Sequence, residues 1–338
     1  MNIRNTFLTL LVPAILFSCS RMPDFSVING FAQGTTYHMV FEKSATSDPQ
    51  VVKEGVDKLL HRFDMSLSLW IDSSVVSRIN LNQTNTPDSF FTAVFNKSKA
   101  ISELTDGAFD VTVGPLVEAW GFGPDERKNF SEEKKDSLMQ LVGMWKVEIR
   151  DGKIVKADPH ISLDFNAIAQ GYSVDVVCGY FDSLGMKDYL VEIGGEVRVK
   201  GDKRGKLWTI GIDKPVDNNM IPGSELEARI SLKDKALATS GNYRKFYIEN
   251  GIKYSHTINP KTGYPAKNNL LSATIIADDC ATADGIATAC MVIGKDKALD
   301  FLAAHPEFSA YLIYSDNNGN FRTWTSEALK KYISESDQ

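Results

Sequence analysis

Four cysteines and five histidines are all that occur among the 338 residues, and this scarcity closes off several kinds of chemistry at once. Cys19, Cys178, Cys280 and Cys290 form no C-x-x-C pair, so neither a zinc cluster nor a disulfide framework is indicated. The three beyond Cys19 read as small buried apolar residues. An excess of positive charge is lacking too. Lys and Arg number 37 against 43 Asp and Glu, a net charge of -6 spread evenly along the chain, which argues against a nucleic-acid partner. After the first twenty residues there is no second apolar run of membrane-spanning length, no low-complexity linker, and no repeat at solenoid or propeller spacing. Also missing are G-x-G-x-x-G after a strand, G-x-x-x-x-G-K-[ST], H-E-x-x-H and G-x-S-x-G. Rossmann, P-loop, zincin and α/β-hydrolase readings therefore lose their motifs.

What is present begins with a distinct N-terminal segment. Arg4 supplies a positive start, Phe7 to Phe17 is almost wholly apolar, and Leu16-Phe17-Ser18-Cys19 ends the stretch. This is the pattern of a secretory signal, short for a transmembrane span. Cys19 directly after small Ser18 is similar to the lipobox at which bacterial lipoprotein precursors are lipidated and cut; the alternative is an ordinary signal peptide with a Cys near its cut site. The expected organisation is a signal peptide over 1–18, a tether over 19–30 held to a membrane by acyl chains on Cys19, and one domain over 31–338.

The body has 43% hydrophobic and 24% charged residues, the composition of an ordinary globular protein. Phe31 to Phe41 reads as a strand, and Val52, Val56, Leu59, Leu60 and Phe63 recur at helical spacing. A second helix carries Phe91, Val94, Phe95, Ile101 and Leu104 between Pro87-Asp88 and Asp106-Gly107. A short charged helix runs from Ser131 to near Gly143. Asp151-Gly152 is a strong two-residue hairpin signal. Further on, a helix is expected from about Asn166 to Leu184, strands near Leu190, Val197, Trp208, Ile230, Phe246 and Ile275, and helices over 281–292 and 297–304. Strands in runs, not in strict alternation with helices, predict an α+β fold with mixed or mostly antiparallel sheets and packed helices.

Four segments carry candidate chemistry. Asp284 and Thr288 lie four apart in a helix of small residues, Ala281 to Cys290, and so share a face. Carboxylate and hydroxyl there are either hard oxygen ligands suited to Mg²⁺, or a carboxylate favouring the helix dipole beside a threonine bonded to its own helix. Asn166, in Leu163-Asp164-Phe-Asn166-Ala167-Ile-Ala-Gln170-Gly171-Tyr172, reads as the N-cap of a helix whose exposed N–H groups can accept phosphate. Gly194-Gly195 is either a hairpin turn or a close approach of backbone to ligand. His256 follows Thr239-Ser240-Gly241 in the sequence and precedes the turn-forming Asn259-Pro-Lys-Thr-Gly263, a placement open to a general base or to a structural histidine.

Taken in order, these segments resemble the ApbE-type FAD:protein FMN transferase family, from about Gly34 to Leu299. The stretches that carry the likeness are Asp164 to Asp175, Val191 to Gly201, Ala238-Thr-Ser-Gly241, His256 to Gly263 and Ala283 to Thr288. The resemblance implies an α+β architecture of two interlocked lobes and a Mg²⁺-dependent reaction. FAD is split at its pyrophosphate, FMN passes to a Ser or Thr hydroxyl of an acceptor protein as a phosphoester, and AMP leaves. It implies Asp284, Thr288 and the Ala167 carbonyl as metal ligands, and His256 as base. Trp70 would stack on FAD, with Gln33, Ala108, Phe109, Asp110, Asp164, Gln170 and Ile258 lining the rest. Gln33 stands where many relatives carry Met, and Gln170 where many carry Lys or Glu. The acceptors it implies are flavin-carrying subunits of membrane redox complexes, reached from the periplasmic face, the inner membrane being favoured over the outer. Two rival readings keep the same residues: a Mg²⁺-dependent FAD pyrophosphatase, with water replacing the acceptor hydroxyl, and a flavin-binding lipoprotein without turnover.

Overall fold

The computed structural model describes residues 25–43, 48–123, 131–215, 223–242, 246–249 and 252–335. Cys19 and the expected signal segment lie outside them. The chain opens with strands β1 (Phe25–Ala32) and β2 (Thr35–Glu42), followed by helices α1 (Pro49–Leu67), α2 (Val75–Asn80), α3 (Ser89–Leu104), α4 (Gly114–Ala119) and α5 (Glu132–Met139). A hairpin, β3 (Val147–Arg150) and β4 (Lys153–Lys156), leads to α6 (Ala169–Ser183). Strands β5 (Tyr189–Ile193), β6 (Glu196–Lys200), β7 (Trp208–Asp213), β8 (Leu226–Leu232), β9 (Lys235–Gly241), β10 (Phe246–Glu249), β11 (Ile252–Ser255) and β12 (Leu270–Ala277) come next. Helices α7 (Cys280–Ile293) and α8 (Lys295–Ala304) precede β13 (Ser309–Ser315), β14 (Phe321–Thr325) and β15 (Ile333–Glu335).

Eight strands form one sheet in the order β1-β2-β5-β6-β9-β12-β13-β14, every neighbouring pair antiparallel. Period-two alternation gives each strand two jobs. Tyr37, Met39 and Phe41 of β2 face α1 and α6, where they meet Val56, Leu60, Val177 and Phe181. Val40 points the other way, into a layer with Trp208, Ile210 and Ile230 from the three-stranded sheet β15-β8-β7. The large sheet is thus covered by helices on one face and by a second sheet on the other. A third cluster joins Phe63, Phe91 and Phe95 of the N-terminal helices to Ile286 and Cys290 of α7 and Ala310 of β13. The two halves of the chain therefore share a core, and the expected α+β class with antiparallel sheets holds.

Local chemistry explains most boundaries. Asp48 and Asp88 cap α1 and α3 by accepting from Gln50 N and Phe91 N. Asp151 and Gly152 take left-handed φ values of 52° and 70° and close the β3-β4 hairpin. Cys178, Cys280 and Cys290 are buried free thiols. Three expectations need correction. The strand read over 31–41 is two strands, turned at Gln33 and Gly34 with φ of 55° and 74°, and the boundary placed at 31 falls inside β1. Asn166 does not cap α6. Its N–H donates to Asp164 Oδ1 at 2.8 Å, and the chain makes a further turn before the helix begins at Ala169, with no side-chain cap.

Candidate active site

A cavity of about 760 Å³ opens between the α6–α7 helix pair and the loops that face it. All twelve residues expected at the site line it: Gln33, Trp70, Ala108, Phe109, Asp110, Asp164 and Ala167 from the first half of the chain, and Gln170, His256, Ile258, Asp284 and Thr288 from the second.

The floor is set by how closely α6 and α7 approach. A Cβ on Gly171 would lie 2.5 Å from the Cys280 carbonyl oxygen and 2.8 Å from Asp284 Cβ, so only glycine lets the helices meet there. Across that contact Gly171 N–H donates to Asp284 Oδ2 at 3.0 Å. Asp284 is 7% exposed, and burial pushes its carboxyl up to about 7, the Gly171 N–H pulling it down and the charge of Asp175 pushing it up again. The Asp284 carboxylate is spent on the first turn of α6, while other carboxylates cap the start of α7. Asp175 accepts from Cys280 N and Ala281 N at 3.0 and 2.9 Å, and Asp279 accepts from Thr282 N at 2.9 Å. Thr288, one turn on, pairs with Ser240 Oγ of β9 at 3.2 Å and not with its own helix.

These groups fit a hard divalent cation. Among the described residues no three His, Cys, Asp or Glu side chains converge on one point, so a metal here would rest on one carboxylate, a hydroxyl and carbonyl oxygen. That is the donor chemistry of Mg²⁺, which keeps several of its ligands as water or phosphate. A buried carboxyl raised to about 7 is also one whose ionised form a cation would restore.

The walls are held by hydrogen bonds that leave little freedom. Asp110 Oδ1 accepts from Thr112 N and Oγ1 at 2.8 and 2.6 Å, and Oδ2 accepts from Met144 N at 2.9 Å. Burial raises this carboxyl and those donors oppose the rise, so Asp110 fixes the wall. Asp164 N–H donates to the Val111 carbonyl at 2.8 Å, which ties the two wall segments together. Gln170 Nε2 donates to the Ile193 carbonyl at 3.0 Å, running past Gly194, where a Cβ would sit 1.6 Å from that nitrogen. Gln33 Oε1 accepts from Ser173 Oγ at 3.2 Å. Gly194-Gly195 is thus the β5-β6 turn, and its close approach is to the Gln170 side chain; neither glycine lines the cavity.

The opposite side is loop-built. His256 meets the Phe122 ring edge-on, centroids 6.4 Å apart and planes at 71°. The following turn is pinned by Gly263 N–H to the Asn259 carbonyl at 2.8 Å and by Trp120 Nε1 to the Gly263 carbonyl at 2.8 Å. Trp70, past the end of α1, is 60% exposed at the rim. Ala108, Phe109 and Ile258 are buried apolar wall.

Sequence reasoning missed Asp64 and Phe122 and gave no role to Ser240 and Glu196, all of which line the cavity. Burial raises the Asp64 carboxyl, with His61 pulling it down. The available signal was a carboxylate beside Phe63 on the buried face of α1.

The family model described as the ApbE family matches residues 33–312. The chain belongs to the ApbE family. The FAD:protein FMN transferase of Haemophilus influenzae is 37% identical over 329 residues, 94% of either chain. That of Vibrio cholerae is 33% identical, over 98% of this chain and 99% of its own. Among solved structures, the flavin transferase ApbE from Vibrio cholerae matches with a TM-score of 0.81 over 92% of this chain and 99% of its own, at 33% identity. The apo form of the Pseudomonas stutzeri flavinyl transferase ApbE matches with a TM-score of 0.82 over 93% and 98%, at 30% identity. The ApbE match takes in every residue on the cavity wall, from Gln33 to Val292.

Proposed function

We propose that this chain is a FAD:protein FMN transferase, the activity for which its relatives are named, and that it works with Mg²⁺. The observation that carries the metal part is the pairing of Asp284, clamped by Gly171, with Thr288 one turn away on the same cavity wall. Asp284, Thr288 and the Ala167 carbonyl would hold the cation, which when bound neutralises charge on the pyrophosphate.

The chain's own residues do the rest. Trp70 offers an exposed face on which a planar ring stacks. The start of α6 presents backbone to the phosphates. His256 accepts the proton of a Ser or Thr hydroxyl as that oxygen bonds to the FMN phosphorus; the pyrophosphate P–O bond breaks and AMP carries away the electron pair. The product is a phosphoester on the acceptor. Buried walls pinned by Asp110 and Asp164 keep the reacting groups in register. The acceptors are subunits of membrane redox complexes, and Cys19 anchors the chain to the inner membrane, facing the periplasm. Arg4, the apolar run to Phe17 and the Ser18-Cys19 pair support that placement.

The test is AMP release from FAD with Mg²⁺, with and without an acceptor protein, beside an Asp284→Ala control. Covalent flavin on the acceptor, lost in the control, is expected. AMP without an acceptor, and no flavin on protein, would mean hydrolysis; no AMP at all would mean a flavin-binding protein.

A further inference from the structure

We propose that Asp175 is a positioning residue for the metal site, acting through the start of α7; this rests on the Mg²⁺ reading of Asp284 given above. Residues 171 and 175 lie one helical turn apart on α6, and 280 and 284 one turn apart on α7, so each pair shares a face. The two faces grip each other reciprocally. At one level Gly171 N–H of α6 donates to the Asp284 carboxylate of α7 at 3.0 Å. At the other the Asp175 carboxylate of α6 accepts from Cys280 N at 3.0 Å and Ala281 N at 2.9 Å. The second grip fixes the rotation and depth of α7, and with them where the Asp284 carboxylate points.

Arg198 of β6 completes the device. Its Nη1 donates to Asp175 Oδ1 at 2.6 Å, with the Asp175 side chain 11% exposed. The guanidinium balances a carboxylate that would otherwise stand uncompensated in the interior. The start of α7 has a second cap, Asp279, which directly precedes the helix and pairs with Lys97 at 2.9 Å. It stabilises the helix without tying it to α6. Of the two caps, only Asp175 links the helix bearing Asp284 to the helix that begins at the cavity wall.

Partners behind a metal ligand typically govern about tenfold or more in metal affinity. The experiment is calorimetric titration of the full chain with Mg²⁺ alone, with FAD binding in the absence of metal measured separately by flavin fluorescence. Asp175→Asn keeps the size but removes the charge and turns an amide donor toward one of the two N–H groups, each of which is held by its own carboxylate oxygen. It is expected to weaken Mg²⁺ binding about tenfold or more while leaving metal-free FAD binding within about twofold. Asp279→Asn, which removes the charge that pairs with Lys97 at the other cap of the same helix, is expected to leave Mg²⁺ binding at the parent value. Asp175→Glu restores charge and two acceptor oxygens, and is expected to recover most of the affinity, which separates positioning from a failure to fold. Unchanged Mg²⁺ binding in Asp175→Asn, or an equal loss in Asp279→Asn, would overturn the proposal. A parent chain that takes up no Mg²⁺ would instead overturn the metal reading itself, and this proposal with it.

Discussion

On the α6–α7 side of the cavity, Asp284 is 7% exposed and held by the Gly171 N–H of the neighbouring helix. On the facing side Trp70 is 60% exposed, and His256 sits on a loop between β11 and a turn. The first side uses glycine and alanine so that backbones touch; the second uses aromatic rings that project. Charge handling belongs on the side where nothing has to move, since a carboxylate that carries a cation works only at a fixed position. Recognition of a planar ligand and of a second protein belongs on the side that solvent reaches.

Substitutions can sharpen or break this division. Asp284→Asn should lower Mg²⁺-dependent AMP release from FAD roughly 10³-fold, the several kcal/mol that a metal contributes to a developing charge. Its urea midpoint should hold or rise, because a buried carboxyl raised to about 7 is a burden on the fold. His256→Ala should lower transfer to an acceptor protein about 10²-fold without changing FAD affinity in a fluorescence titration; a parallel loss of binding would put His256 on the recognition side only. Gly171→Ala should lower stability by about 1–3 kcal/mol in urea unfolding, as the methyl meets backbone at 2.5 Å. Trp70→Ala should weaken FAD binding by about 1 kcal/mol with no change in the urea midpoint. If it unfolds the chain instead, the rim is part of the core and the comparison fails.

The smallest effect concerns pH. Burial by itself raises the Asp279 carboxyl, but hydrogen bonds from Lys97 and Thr282 outweigh it and hold the group below its ordinary value. A depressed carboxyl stabilises the fold at pH values above its unfolded pKa, and this contribution disappears as pH falls through the folded value. Asp279→Asn, which keeps a cap, should therefore cost under about 1 kcal/mol at neutral pH and nothing once the parent's carboxyl is protonated, read as urea midpoints on either side of about pH 4.

How much of this the sequence disclosed follows from the range of each interaction. The Asp151-Gly152 hairpin was legible because its turn depends on two adjacent residues. The Gln33-Gly34 turn was not, since strand-forming residues flank it, with Phe31 before and Thr35, Thr36 and Tyr37 after, and the register of β1 on β2 is set by pairing. Asn166 has the right residue type for a cap, but Asp164 two residues earlier takes its N–H and displaces the start of α6. Helices α2 and α4, six residues each, are too short to show a period. The twelve site residues were reached through a likeness of ordered motifs, and the cavity gathers them. Asp175 stayed without a role because its partners lie 105 and 106 residues away, and nothing local to it says so.

The order of strands in the large sheet has a kinetic consequence. Along β1-β2-β5-β6-β9-β12-β13-β14 the strands lie in the sequence in which they are synthesised, so each can add to an edge that already exists. The contact between Gly171 and Asp284 spans 113 residues and must wait until α7 has emerged. A chain folding from its N-terminus thus builds most of its sheet first and completes the cavity floor late, so an incomplete chain would carry a scaffold without a site.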